Sequence, residues 1–375
     1  MSKSGQSGPD ISIDARFMEA AIRLARKHQG WTATNPSVAC LLVRDDGKGP
    51  FVVGSAVTAI GGRPHAEPIA LEQAGNLASG ATAYVTLEPC AHHGRTPPCA
   101  QTLIDAGVRR VVTAVVDPDE RVNELGHKML REAGVEVDTG ICGSSASSDL
   151  AAYLKHKNFR KPWVTLKLAI SKDGFIGVRG EGQVSISGDI AWAHTHMLRA
   201  RNQAILIGSG TALADDPSLT CRLDGLEQHS PIRIVLDPEF KLGAESKLVK
   251  TARTVNTIIV SPESEDGREK LRSLGCEFMV GELVDGKIAL PELVDDLGAR
   301  GIMNILVEGG AAVAASFIDE KLVDEIVLYQ SPVLLSEYQD AVASPVKFED
   351  PPKEFKQVGE LKLGDDLARR FRKQD

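Results

Sequence analysis

The sequence predicts two consecutive α/β units, and three observations carry that reading. The chain has 375 residues, more than the ~250–300 at which a single core usually stops growing. Apolar strand-like runs alternate with helical patterns along its whole length, the pattern of layered α/β folds. A short, small-residue stretch, Cys142 to Ser148, breaks the alternation and is followed by a helical segment ending before Pro162, which places a boundary there.

The elements follow in order. Residues 1–13 are rich in Ser and Gly and are expected to be disordered. Asp14 is the expected N-cap of a helix in which Phe17, Ala21, Leu24 and Ala25 recur at helical spacing. Val38 to Val43 and Phe51 to Val57 read as strands joined by a turn at Asp45-Asp46-Gly47. Ala66 to Ala74 reads as a helix and Ala81 to Leu87 as a strand. A Pro-, His- and Gly-rich loop runs to Pro98. Cys99 to Ala106 is a helix stopped by Gly107. Val111 to Val116 is a strand, Gly126 to Ala133 a helix and Val135 to Val137 a last strand. The first domain is therefore expected over residues 14–148, a linker over 149–161, and a second domain over 162–375. The second has strands at Val164 to Ala169, Ala204 to Ile207, Ile232 to Leu236, Thr257 to Val260, Ile305 to Val307 and Glu325 to Leu328, with helical stretches between. The two halves show no repeat.

Composition narrows the function classes. Hydrophobic residues make up 42% and charged residues 25%, ordinary for packed globular domains. A net charge of −8 with 5% aromatics argues against gripping a polyanion or stacking nucleic-acid bases. No stretch approaches the ~18 apolar residues of a membrane span, and the N-terminus lacks the apolar core of a signal peptide. The protein is expected to be cytoplasmic, a homo-oligomer acting on a small molecule, with neither nucleic acid nor membrane as partner. The six cysteines are widely spread with no CxxC, so they read as thiols or metal ligands.

One constellation carries chemistry. His65-Ala66-Glu67 opens a helix, Pro89-Cys90 closes a strand, and Cys99 opens the next helix. Zinc favours Cys and His donors, and a catalytic site uses three of them and leaves the fourth position to water. Zinc lowers the pKa of that water toward ~7. A carboxylate beside the metal but not on it then moves protons, and Glu67 suits that role. Base deaminases use HxE followed by PCxxC. Here the cysteines are nine apart, with His92 and His93 in the insert as rival ligands.

The stretch Tyr84-Val85-Thr86-Leu87-Glu88-Pro89-Cys90, then His92-His93-Gly94-Arg95-Thr96-Pro97-Pro98-Cys99, closely resembles the bifunctional deaminase/reductases of riboflavin biosynthesis, whose own form has this wide spacing. Asn35-Pro36-Ser37-Val38 resembles their early substrate loop. In the second half Thr165-Leu166-Lys167, Ser171-Lys172-Asp173-Gly174, Leu198-Arg199-Ala200, the run Gly210 to Pro217, Val307-Glu308-Gly309-Gly310 and Leu322-Val323-Asp324-Glu325 look like their reductase domain. The resemblance covers residues 14–335. It implies a three-layer, cytidine-deaminase-like α/β/α domain followed by a dihydrofolate-reductase-like α/β domain. It also implies two steps: zinc-dependent removal of the 2-amino group of a phosphoribosylaminopyrimidine, then NADPH-dependent reduction of the ribosyl arm to ribityl.

By residue type, Arg199 and Arg222 suit a phosphate clamp, although a solvated arginine is the commoner case. Ile305 to Gly310 followed by Ala311 to Ile318 reads as a strand, a glycine turn and a helix whose first amides can hold a phosphate. The same pattern serves as a packing turn, and there is no GxGxxG. The resemblance implies cofactor contacts at Ala169, Thr211, Asp215 and Gly310. It implies substrate contacts at Asn35, Arg199, Leu219, Arg222 and Glu308. The chain departs from the family at Ser185, where a cofactor-stacking Trp is usual, and at Lys172, Ala39, Asp119 and Glu124. These departures keep open a deaminase with an impaired reductase-like domain. A nucleic-acid base deaminase and a purely structural zinc site are also open at the level of sequence.

Overall fold

The computed structural model describes residues 12–93, 97–181, 184–262 and 268–374. The tail expected to be disordered lies outside the described residues as far as residue 11, as do Gly94 to Thr96 of the insert and Gly182-Gln183. The chain forms two compact units, Met1–Phe159 and Arg160–Asp375.

In the first unit the elements are α1 (Ile13–Ala25), β1 (Ala39–Asp45), β2 (Pro50–Val57), α2 (Ala66–Ala74), β3 (Thr82–Val85), α3 (Cys99–Asp105), β4 (Arg110–Thr113), α4 (Leu125–Glu132), β5 (Glu136–Thr139), α5 (Gly143–Asp149) and α6 (Ala151–Phe159). The sheet order is β2-β1-β3-β4-β5. Strand β1 is antiparallel to both neighbours, while β3, β4 and β5 are parallel. Met18, Ala21, Ile22 and Ala25 of α1 pack with Leu41, Tyr84 and Val112 on one face. Helix α2 packs close to β2: a Cβ on Gly54 would overlap the Ala70 carbonyl oxygen.

Two expectations change here. Ser12, not Asp14, caps α1, its Oγ accepting from the Ala15 N–H at 3.2 Å. Asp14 is claimed instead by Arg110, at 2.9 and 2.8 Å, and by the Tyr84 hydroxyl at 2.7 Å. The Ser-rich stretch read as a break forms helix α5, although serine is a poor helix former. Burial of Ala146 against the core beneath α1 supplies the tertiary support.

The second unit is built on a nine-stranded sheet. Its elements begin with β6 (Trp163–Ile170), β7 (Phe175–Val178), α7 (Asp189–Arg201), β8 (Ala204–Gly208), α8 (Ser209–Asp215), β9 (Ile232–Leu236), α9 (Lys247–Lys250), β10 (Thr257–Ser261), α10 (Arg268–Ser273) and β11 (Glu277–Val280). There follow β12 (Leu283–Val284), β13 (Lys287–Ile288), α11 (Leu290–Ala299), β14 (Asn304–Val307), α12 (Ala311–Asp319), β15 (Glu325–Gln330), β16 (Ala341–Ala343), β17 (Phe355–Leu363) and β18 (Asp366–Lys373). The order is β11-β10-β9-β8-β14-β6-β15-β18-β17, parallel from β11 to β15. The central parallel strands are buried on both faces, which is why Ala204–Gly208 and the Ile258, Ile259 and Val260 centre of β10 read as apolar runs. Sequence patterning did not reveal the C-terminal hairpin β17–β18, whose residues are too charged to look like strands. Its Arg370 and Arg372 are held by Glu325 of β15 at 3.0–3.1 Å.

Candidate active site

The first site is assembled by three chain segments. His65 is the residue preceding α2, in extended backbone, and Glu67 lies in that helix's first turn. Cys99 is the first residue of α3, and its N–H donates to Cys90 Sγ at 3.3 Å. Gly126 lets α4 press on the loop bearing Cys90, because a Cβ there would overlap the Pro89 carbonyl. His65 Nδ1 stands 3.7 Å from Cys90 Sγ and 3.4 Å from Cys99 Sγ. A tetrahedral zinc with bonds of ~2.3 Å to sulfur and ~2.05 Å to nitrogen separates such donors by about 3.6 Å. The donor set and its spacing therefore fit zinc. Among the described residues no other His, Cys, Asp or Glu group is drawn together in this way, and His92 and His93 stand outside the cluster.

Electrostatics supports the assignment. Hydrogen bonding from Cys99, then from His65, pulls the Cys90 thiol down to about 4, so a thiolate is available for a metal. Glu67 is 3% exposed, and that burial pushes its carboxyl above the usual range. Both lie on a cavity of about 140 Å³ that also takes in Asn35, Glu88, His92 and Asp117. Asn35 is oriented by donating from Nδ2 to the Gly62 carbonyl at 2.9 Å. His92 Nδ1 is buried and has no hydrogen-bond partner. Glu88 is committed to the scaffold: its carboxylate accepts from the N–H groups of Asp117, Glu124, Gly126 and His127. Glu124, where the family usually has Gly, holds a left-handed backbone at φ 59°, which is the conformation glycine favours.

Most of the segment expected as a linker, 149–161, is helix α6, within the first unit. Two of its side chains line this cavity, Tyr153 and Lys157. The Tyr153 hydroxyl donates to the Asp117 carboxylate, 3.0 Å from either oxygen. Nothing in the sequence pattern marked these two residues, because a helix's role is set by what it packs against.

The second unit holds a cavity of about 410 Å³ whose walls include Ala169, Arg199, Thr211, Asp215, Arg222, Glu308 and Gly310. These are the expected cofactor and substrate residues, with Leu219 the exception. Its side chain is 3% exposed and packs in the apolar cluster with Ile205, Ile207 and Val235. Arg199 is not a free clamp, since its Nε and Nη2 donate to the two Glu308 carboxylate oxygens at 2.8 Å each. Burial pushes the Glu308 carboxyl up, but the Arg199 charge, its hydrogen bonds and Lys167 outweigh it and hold the group below its ordinary value. Helix α12 opens at this cavity. Gly310 N–H donates to Thr211 Oγ1 at 3.0 Å, and a Cβ on Gly310 would press on that same oxygen. Beside it Gly210 leaves open space. Amides at a helix start with a side-chain-free approach suit the phosphates of NADPH.

Lys167, legible in the sequence only as one residue of a motif, also lines this cavity. Burial pushes its ammonium below the ordinary lysine value, with Glu308 opposing. Its Nζ sits 5.2 Å from the Tyr329 ring centre. Ser185 lines the cavity as well. An aromatic face is nonetheless present: Trp192, 41% exposed, packs against His196 with ring centres 3.9 Å apart and planes tilted by 53°, and its ring lies 5.2 Å from the Arg222 guanidinium.

Comparison with known proteins agrees with both halves. Residues 11–115 match the cytidine and deoxycytidylate deaminase zinc-binding region, and residues 162–368 match the RibD C-terminal domain. The riboflavin biosynthesis protein RibD of Haemophilus influenzae is 38% identical over 95% of this chain and 96% of its own. The structure of Acinetobacter baumannii RibD superposes with a TM-score of 0.82 at 34% identity, covering 96% of this chain and 99% of that one. A Thermotoga maritima diaminohydroxyphosphoribosylaminopyrimidine deaminase/5-amino-6-(5-phosphoribosylamino)uracil reductase gives 0.83 at 29% identity, with coverage of 96% and 99%. A zinc-fitted cluster in the first unit, a glycine-lined cavity in the second and relatives matched nearly end to end lead to one assignment: the chain belongs to the RibD family of bifunctional riboflavin-biosynthesis deaminase–reductases.

Proposed function

We propose that the first unit converts 2,5-diamino-6-(5-phosphoribosylamino)pyrimidin-4-one to the corresponding aminouracil, and that the second reduces its ribosyl arm to ribityl. What most supports the first step is the buried Glu67 beside the His65, Cys90 and Cys99 cluster. His65, Cys90 and Cys99 hold zinc, which when bound supplies a water acidic enough to attack at neutral pH. Glu67 takes the proton of the attacking water and returns protons to the departing amine, so that water and the C2 amine become a C2 carbonyl and ammonia. Its raised pKa suits both directions of transfer. Asn35 and Asp117 orient the pyrimidine ring.

In the second unit Ala169, Thr211, Asp215 and Gly310 hold NADPH, which supplies the hydride. Arg199, Arg222 and Glu308 position the ribotide, with the Leu219 backbone beside them. Lys167 is the proton donor we add, a buried ammonium with lowered pKa that can protonate the ribosyl oxygen as hydride reaches C1′. The domain division is deaminase to Phe159 and reductase from Arg160. We place the protein in the cytoplasm, consistent with six free cysteines. We also infer a homo-oligomer, for which the edge strand β17, with exposed Val358 and Leu361, supplies a surface. Light scattering tests that state.

The decisive experiment is incubation with the diaminopyrimidine ribotide, with and without NADPH, read by mass spectrometry. Loss of the amino group is expected without NADPH, and a further two-hydrogen gain only with it. A Glu67→Gln variant that binds zinc should lose deamination by roughly 10²–10⁴-fold. Full activity in that variant would favour a structural zinc. Deamination without any NADPH turnover would favour an impaired second domain, the reading that Ser185 keeps open.

A further inference from the structure

The cavity of the first unit is polarised along its length. Its deep wall is acidic: Glu67 is 3% exposed and Asp117 5%. Its mouth carries cations: the Arg121 side chain is 63% exposed and that of Lys157 22%. Both cations converge on one anion. Arg121 forks onto the two oxygens of Asp119 at 2.9 and 2.7 Å, and Lys157 Nζ donates to Asp119 Oδ2 at 2.8 Å. The Asp119 carboxyl is held well below its usual range, first by Arg121 and against the effect of burial, so it remains an anion. Two cations on one carboxylate leave a net positive charge. They also leave donors unused, because an ammonium has three and a guanidinium five.

Size decides what reaches that mouth. The cavity is about 140 Å³, less than half the ~300 Å³ at which pockets begin to enclose a drug-sized ligand. It takes a pyrimidine ring but not a ribosyl phosphate as well. An amino-substituted ring entering the acidic end leaves its phosphoribosyl arm at the cationic end. We propose that Lys157 and Arg121, drawn together by Asp119, seat the 5′-phosphate of the deamination substrate at the cavity mouth. The proposal rests on the reading that this unit deaminates a phosphoribosyl-pyrimidine. It gives helix α6 a purpose beyond connection: α6 carries one half of the phosphate seat, and Tyr153 braces Asp117 in the wall behind it.

The test is steady-state deamination, followed by ammonia release, of the ribotide and of its dephosphorylated counterpart. The proteins are the full-length chain, Lys157→Met and Lys157→Met with Arg121→Met. Loss of a charged hydrogen bond to phosphate should raise KM for the ribotide about 10- to 100-fold per cation, with kcat held. KM for the dephosphorylated substrate should not move, and Lys157→Arg should restore the ribotide KM. Arg121 and Lys157 lie in the first unit, so an unchanged kcat on the dephosphorylated substrate reports that this unit of each variant is folded. An unchanged ribotide KM, or equal losses on both substrates, overturns the phosphate seat. If the unaltered protein deaminates neither compound, the deaminase reading itself fails, which is a different outcome from equal KM values on both.

Discussion

Glu308→Gln probes the second unit where its charges are most tightly interlocked. The Arg199–Glu308 fork has two 2.8 Å hydrogen bonds, and its side chains are only 13% and 9% exposed. Lys167 faces the same carboxylate. Glutamine preserves the shape and one acceptor oxygen but removes the negative charge, leaving the guanidinium and the nearby ammonium in a poorly solvated pocket. Removing one partner of a buried pair costs about 3–5 kcal/mol. The retained acceptor places this change near the lower end, about 3 kcal/mol. For a unit of this size each kcal/mol moves the melting transition by roughly 2–4 °C, so the second unit should melt about 6–12 °C lower. Differential scanning calorimetry measures that shift, while NADPH oxidation and ammonia release separate the two activities. Reduction should be lost and deamination kept. An unshifted transition with normal NADPH oxidation would refute the claim that this pair organises the reductase cavity.

Other consequences follow from the same geometry. Stripping zinc with a chelator, or making Cys99→Ser, should abolish deamination and leave NADPH oxidation intact, with metal analysis confirming the loss. Lys167→Met should reduce NADPH oxidation by roughly 10²–10⁴-fold without altering ammonia release. His196 is lowered to about 4, by burial first and then by Arg199 and Arg222, and its Nδ1 accepts from the Arg222 N–H at 3.0 Å. Because its folded pKa is depressed below the ordinary 6.5, its stabilising effect is complete above that value and is lost as pH falls toward 4, by at most about 3 kcal/mol. His196→Gln should flatten that part of the stability–pH curve. Gly54→Ala forces α2 away from β2, because the new Cβ overlaps the Ala70 carbonyl. It should cost about 1–3 kcal/mol and weaken zinc retention, since α2 carries Glu67 and begins beside His65.

What could be read in the sequence was whatever depends on residue type and local period. Zinc chemistry constrains its donors so narrowly that His65, Cys90 and Cys99, with Glu67 beside them, could be singled out as candidates from type and spacing. The apolar strands at the centre of the parallel sheet and the helix Ile13–Ala25 were visible because burial on both faces leaves an apolar run and burial of one helical stripe leaves a periodic trace. The candidate cofactor and substrate residues of the second unit came from family likeness, since side chains suited to phosphate and ribose are common and follow no fixed pattern.

Only the tertiary structure decided which charges are spent on one another and which line a cavity. Arg199 looked like a free clamp until the fold brought Glu308 to it across more than a hundred residues. Leu219 was placed in the core, Lys167 was drawn to the reductase cavity, and α6 was turned from a tether into a cavity wall. The Ser-rich α5 and the charged β17–β18 hairpin exist because packing and cross-strand ion pairs override weak local preference. Those interactions join residues far apart in the chain, so no local window of the sequence contains them.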